Sequence, residues 1–281
     1  MSGEGGTEAP QRASGRRKAT GAAGPTGSGT AAPKPRLKPK PKLPPRSRLA
    51  KAERVELFER LRRQRPAPAP ELEFHDPFTL LVAVTLSAQA TDRGVNRATR
   101  RLFADAPDPA GMVALGVEGV GERVRTIGLW RGKAKNVVAL SEALLRDHGG
   151  RVPEDRDALT ALPGVGRKTA NVVLNLGMGH PTMPVDTHVL RLANRIGLAP
   201  GTTPEIVERG LERAVPDAFA RDAHHWLILH GRYVCRARRP LCEHCVIADL
   251  CRFKGRTSRE PAPVKQAPPN GPPPGVPDVR G

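Results

Sequence analysis

The stretch LPGVGRKTANVVLN, residues 162–175, decides how the rest of the chain is read. A helix closing near Leu159–Leu162 runs into Pro163-Gly164-Val165-Gly166, and apolar spacing resumes from Arg167 to Leu176 as a second helix. Gly164 and Gly166 permit positive φ and leave no Cβ in front of an incoming group. The N–H groups of the turn and of the next first helical turn then face outward, at the positive end of the helix dipole. That donor set suits a phosphate oxygen. Arg167 and Lys168 follow directly and add positive charge. The bland alternative is an ordinary helix–helix turn, since Gly-x-Gly is common in such joints.

Lys168 invites a second reading. An exposed cation would add only phosphate attraction. In a first helical turn beside Arg167, however, both the dipole and the like charge disfavour its ammonium form. A lysine disposed in this way can present a neutral amine to a carbon electrophile and form a Schiff base. Eighteen residues on, VDTHVLR (185–191) puts Asp186 at the start of another helix, where a carboxylate caps well. If the two met in one cleft, Asp186 could move protons for the amine or steady positive charge. Their meeting is a tertiary matter.

Working outward, the periodicity is helical throughout. Glu53 to Arg63 is amphipathic on Val55, Leu57, Phe58 and Leu61. Pro77 to Ala90 is almost continuously apolar, as a buried central helix would be. Lys133 to Arg146, Asp186 to Ile196, Pro204 to Ala214 and Phe219 to Tyr233 repeat apolar residues at three and four, with Pro and Gly at the joints. No alternating strand of five residues stands out. The expected fold is all-α, with about ten helices and no internal repeat.

The 281 residues carry a net charge of +18, which points to a polyanionic partner, nucleic acid first. No apolar run approaches the roughly 18 residues that cross a bilayer, and the basic N-terminus has no apolar run after it to make a secretory signal. A cytoplasmic protein, nucleoid-associated if bacterial, and a monomer is expected. The charge is uneven. Residues 1–50 hold 11 Lys/Arg, two acids, eight Pro and eight Gly; residues 252–281 hold six cations, two acids and eight Pro. Both ends, 1–50 and 253–281, are predicted to be disordered, because neither buries enough apolar surface to offset the entropy of ordering.

Cys235, Cys242, Cys245 and Cys251 form C-x6-C-x2-C-x5-C. Four thiolates in one loop can close on zinc or on a cubane iron–sulfur cluster, and spacing leaves both open. A disulfide framework is disfavoured in a chain without an export signal. Arg232, Arg236, Arg238 and Arg239 flank the first cysteine and would present cations to a phosphate backbone.

LPGVGRKTANVVLN, VDTHVLR, LLVAVTLSAQATD (80–92) and the cysteine spacing together resemble the endonuclease III family of the helix-hairpin-helix DNA glycosylases, over about residues 51–252. The resemblance implies a 4Fe–4S cluster on the four cysteines and double-stranded DNA bearing oxidised pyrimidines or abasic sites as substrate. It implies that Lys168 attacks C1′ and expels the base, that β-elimination then nicks the strand 3′ to the abasic sugar, and that Asp186 assists. Gln89 matches the residue that fills the space of the extruded base, and Leu129, in TIGLWRGKA (126–134), matches the wedge beside the lesion. Gly164, Val165, Gly166 and Arg167 match the phosphate hairpin. Trp130 stands where the family often has Tyr, and His188 is placed to line the site. The family layout implies one domain over 70–182, with the hairpin at about 157–176, and a discontinuous cluster domain of 51–69 plus 183–252. Two rivals remain: an adenine-mismatch glycosylase, which lacks the lysine and carries a further C-terminal domain, and a non-catalytic hairpin DNA binder.

Overall fold

The structure is a computed structural model that describes residues 45–278; most of the basic tail expected over residues 1–50 lies outside the described residues. Among the described residues there are ten α-helices and no strand. They are α1 Lys51–Gln64, α2 Pro77–Leu86, α3 Asp92–Asp105, α4 Pro109–Val124, α5 Trp130–His148, α6 Arg156–Ala161, α7 Arg167–Val172, α8 Thr187–Ile196, α9 Pro204–Ala214 and α10 Ala223–Tyr233. A five-residue π-helical stretch, Val173–Gly177, continues α7.

Local sequence explains most helix starts. Asp76, Thr91, Asp108, Asp155, Asp186 and Thr203 are N-caps whose side-chain oxygens accept an amide of the first turn, and Pro follows the cap at α2, α4 and α9. α2 is apolar on every face because every face is covered; nine of its residues are buried. It stops at Leu86, four residues before the apolar run ends, and the chain turns through Ser87–Ala90 instead.

The helices enclose two apolar cores. One gathers α2, α3, α5 and their neighbours, from Phe78 to Leu174. The other joins Leu49, Leu57, Phe58 and Leu61 to residues between Met183 and Ile247. At its centre the rings of Phe58 and Phe219 stack at 5.6 Å, and Trp226 stands 6.1 Å from Phe219 in an edge contact. α10 threads this region almost fully buried, taking His224, His225 and His230 inside with it. Burial pushes His225 down to about 4, against the pull of Asp222, and holds His224 well below the usual imidazole range.

The Pro-rich segment after Cys251 departs from expectation. Instead of a disordered tail over 253–281, the chain runs across the surface in contact with it as far as Pro277. Ala262 N–H donates to the Cys245 carbonyl at 3.0 Å, Ala267 N–H to Gln64 at 2.8 Å, and Val276 is buried against Leu229, Tyr233 and Val234. Composition weighed only the segment's own apolar content. The docking surface belongs to helices far away in sequence, and eight prolines reduce the entropy lost on ordering.

Two outcomes follow from these cores. Phe58→Ala, at a fully buried position, should lower unfolding free energy by about 3–5 kcal/mol in denaturant melts. Because native His225 refuses a proton that the unfolded chain accepts near pH 6.5, stability should fall as pH drops from about 6.5 toward 4. Between pH 7.5 and pH 5 this group should account for about 2 kcal/mol. His225→Gln should flatten the pH dependence by that amount; equal slopes for the two proteins would refute it.

Candidate functional site

Lys168 lies in the first turn of α7 and Asp186 caps α8. Both line one small cavity of about 100 Å³, with Glu71, Asp92, His224, His225 and Arg232 on the other sides. This chamber shares Glu71, Ser87, Asp92, Lys168 and Arg232 with a larger cavity of about 740 Å³, whose wall adds Thr91, Arg93, Arg97, Thr126 and His188. That volume lies in the range of small-molecule sites and accommodates a nucleoside. Asp186 Oδ1 accepts the Val189 amide at 2.8 Å, so the carboxylate is a helix cap that also faces the cleft.

The charges here are arranged across the chain. Arg232 of α10 pairs with Asp92 at 2.6 Å and with Glu71, which also accepts from the Tyr233 hydroxyl. Burial pushes the Asp92 carboxyl up, while Lys168 and His188 pull it down and Asp186 raises it further. Three carboxylates, an arginine and a lysine thus share one partly desolvated space. Arg232, which the sequence grouped with the cations around the first cysteine, faces the cleft instead. Arg238 and Arg239 are exposed, and Arg236 bonds to the Tyr233 and Pro277 carbonyls. Asp92 and Glu71 were missed as site residues. Asp92 closes the LSAQATD run, but nothing local separates it from an ordinary first-turn acid, and Glu71 sits in a Pro-rich connection with no motif.

Gln89 and Leu129 are the two non-glycine residues with positive φ among those described, at 54° and 60°. Such backbone costs of order 1–3 kcal/mol and tends to gather at functional sites. The two loops adjoin: a Cβ on Gly128 would stand 3.9 Å from the Gln89 carbonyl oxygen. Leu129 is 67% exposed, the most exposed large apolar side chain described. Trp130 next to it turns inward, packing so close to Gly121 that a Cβ there would meet its ring at 2.9 Å.

The hairpin separates into distinct parts. Gly164 has φ 76°, and a Cβ on it would fall 2.7 Å from the Asn136 side chain, so its glycine serves both backbone and packing. Gly166 has an ordinary φ of −92° with open space before it. Val165 is buried, and its amide is taken by the Leu162 carbonyl at 3.1 Å. Arg167 forks onto Glu208 of α9 at 2.7 and 3.0 Å, where Glu208 is 3% exposed. Its charge is largely spent on that carboxylate.

The four cysteines form no disulfide and line a common cavity with Leu192, Ile196 and Phe253. Among the described residues no three His, Cys, Asp or Glu side chains converge tightly enough to hold a single metal ion. N–H donors are placed against the sulfurs: Arg195 Nη1 donates to Cys235 at 3.5 Å and the Phe253 amide to Cys251 at 3.4 Å, while His230 Nε2 lies 3.4 Å from Cys245. Such donors favour cluster-bound thiolates. Burial raises the Cys245 and Cys251 thiols, so their ionisation requires a cationic partner. A polynuclear iron–sulfur cluster fits this donor set.

Comparison with known proteins agrees with this geometry. Residues 82–217 match the HhH-GPD superfamily of base excision DNA repair proteins, and residues 235–251 match the iron–sulfur binding domain of endonuclease III. The chain is 56% identical to endonuclease III of Escherichia coli K12 over 200 residues, 71% of this chain and 95% of that protein. It is 54% identical to endonuclease III of Treponema pallidum, over 69% of this chain and 92% of that one. A solved trapped endonuclease III–DNA covalent intermediate superposes with a TM-score of 0.68 at 40% identity, covering 73% of this chain and 96% of that chain. A non-covalent endonuclease III–DNA complex matches equally well. None of the described helices is long and apolar enough to cross a membrane. With 56% and 54% of the aligned residues identical over nearly the whole length of the Escherichia coli and Treponema pallidum proteins, the chain belongs to the endonuclease III family: it is a base-excision-repair DNA glycosylase and abasic-site lyase that acts on double-stranded DNA and carries a 4Fe–4S cluster.

Proposed function

We propose that this enzyme removes oxidised pyrimidines from duplex DNA, with Lys168 as nucleophile and Asp186 as its proton-handling partner. The observation that carries the reading is the convergence of Lys168 and Asp186 on one cavity. The damaged nucleotide turns out of the duplex into the larger chamber beside it. Gln89 enters the space the base has left, and Leu129 wedges beside it. Support comes from their left-handed backbones and adjoining loops, and from the exposure of Leu129.

The Lys168 amine forms a bond to C1′ as the glycosidic bond breaks, and the base departs with the electron pair and takes up a proton. Asp186 accepts a proton from the attacking nitrogen, whose lone pair then breaks the C1′–O4′ bond; O4′ takes up a proton as the sugar ring opens to the cationic imine, whose charge the Asp186 carboxylate in the same cavity balances. Loss of a C2′ proton then breaks the C3′–O bond, leaving the 3′ nick, and water releases the lysine. Arg232 and Asp92 hold the chamber's charge pattern around these steps.

The hairpin amides at Gly164 and Gly166 hold a backbone phosphate, for which the open face of Gly166 leaves room. Val165 and Arg167 shape that turn, one by filling the core and the other by tying it to Glu208. Cys235, Cys242, Cys245 and Cys251 hold the cluster, which when bound neutralises and cross-links the loop. The two apolar cores support domains at 70–182 and at 51–69 plus 183–252. The enzyme acts as a monomer on the DNA of the cytoplasm.

Borohydride added during reaction with duplex bearing an oxidised pyrimidine or an abasic site should trap wild type covalently. Lys168→Gln should give no adduct, and a wild type that does not trap would remove the lyase assignment. Asp186→Asn keeps a good N-cap, so the fold and DNA affinity should persist while turnover falls about 100-fold or more. Unchanged turnover would reduce Asp186 to its helix-capping role.

A further inference from the structure

Arg65, at the end of α1, is 4% exposed and pairs with no carboxylate among the described residues. Its guanidinium is met instead by carbonyls of the C-terminal segment: Pro268 accepts from Nη1, and Gly271 accepts from Nη2 at 2.8 Å. A buried guanidinium needs its donors occupied, and here the occupying groups come from residues beyond 251, where the match to the iron–sulfur domain ends.

The same segment runs along the connection that leads from Arg65 into the cleft. Ala267 N–H donates to the Gln64 carbonyl at 2.8 Å, Ala69 N–H to Pro269 at 3.0 Å, and Asn270 Nδ2 to Pro70 at 3.2 Å. The next residue is Glu71, which lines both cavities containing Lys168 and receives Arg232 and the Tyr233 hydroxyl. Asn96 fixes the far side of Glu71, donating to its carbonyl at 2.9 Å. A second path arrives through Tyr233, whose ring lies in one apolar cluster with Val276. Arg236 holds the end of the segment by donating to the Pro277 carbonyl at 2.7 Å.

We propose that residues 262–278 are a positioning strap for the lesion cleft: by capping Arg65 and packing Val276 against Tyr233, they hold Glu71, and through it Arg232 and Asp92, beside Lys168. The inference rests on Lys168 being the nucleophile. The strap touches no substrate; it acts by narrowing the freedom of the 65–71 connection. Its loss costs rate at the chemical step more than affinity for DNA.

The test compares full-length protein, a chain ending at Glu260, Arg65→Gln and Arg65→Lys. Each is measured for single-turnover nicking of abasic duplex, Kd for undamaged duplex, and visible absorbance of the cluster. Truncation and Arg65→Gln should each slow nicking about tenfold or more while Kd stays within about twofold and the absorbance is retained. Arg65→Lys, which keeps a donor for one carbonyl, should recover part of the rate, as should a peptide of residues 262–281 added to the truncated chain. Nicking within about twofold of full length in both the truncated chain and Arg65→Gln would overturn the strap. Joint loss of absorbance, DNA affinity and rate in both, without rescue by peptide or Lys, would make the segment a folding element only and overturn it equally. If the truncated chain does not fold, Arg65→Gln decides alone. A full-length protein that fails borohydride trapping would count against Lys168, whereas a trapping protein indifferent to the strap would count against the strap.

Discussion

The guanidinium of Arg232 joins three parts of the chain that lie far apart in sequence. It reaches from α10, beside the cluster loop, to Asp92 at the start of α3 and to Glu71 in the connection from α1. Each carboxylate is partly stripped of water, and each would be costly without a cation; removing one partner of such a buried set costs about 3–5 kcal/mol. Apolar burial is non-directional and does not choose which polar groups meet in the cleft, whereas charge pairs do. Arg232 therefore sets how the walls of the chamber face Lys168 and Asp186, and the strap bears on the same network from behind.

Around that chamber the backbone is strained in two places that the apolar packing alone would not choose. Gln89 and Leu129 hold left-handed φ in adjoining loops at its edge. For Gln89 the cause is visible upstream: α2 ends at Leu86 although its apolar run continues, and the turn that follows reverses the chain toward α3. For Leu129, the strain falls on the N-cap of α5, which makes no side-chain cap bond. A large apolar side chain left in solvent on a strained backbone suits the role proposed for Leu129, insertion into a base stack.

Much of the fold was legible because helix signals are local. Asp76-Pro77, Thr203-Pro204 and the three- and four-residue spacing of α1, α5, α8 and α9 need only neighbours within a turn or two. What escaped was non-local. The end of α2 was overextended by four residues, since apolar periodicity does not register a turn imposed by a distant loop. Arg167 looked like a phosphate ligand in sequence, whereas α9 brings Glu208 to it across 41 residues. The C-terminal segment looked disordered because its partners, Gln64 to Pro70 and Tyr233, lie about 30 to 200 residues away.

The sequence by itself determined the helices, the residue types of the chemistry and the cysteine loop, because caps, periodicity and short motifs act over a few residues. It determined the nucleic-acid partner too, through charge, although most of the surplus lies near the termini and the catalytic chamber is a nearly balanced set of charges. Only the tertiary structure brought Asp186 to Lys168, turned Arg232 into the cleft, added Asp92 and Glu71 to its wall and laid the Pro-rich segment over Arg65. The physical reason is one of range. Desolvation and ion pairing depend on which groups share a low-dielectric space, and that is settled only when distant segments pack.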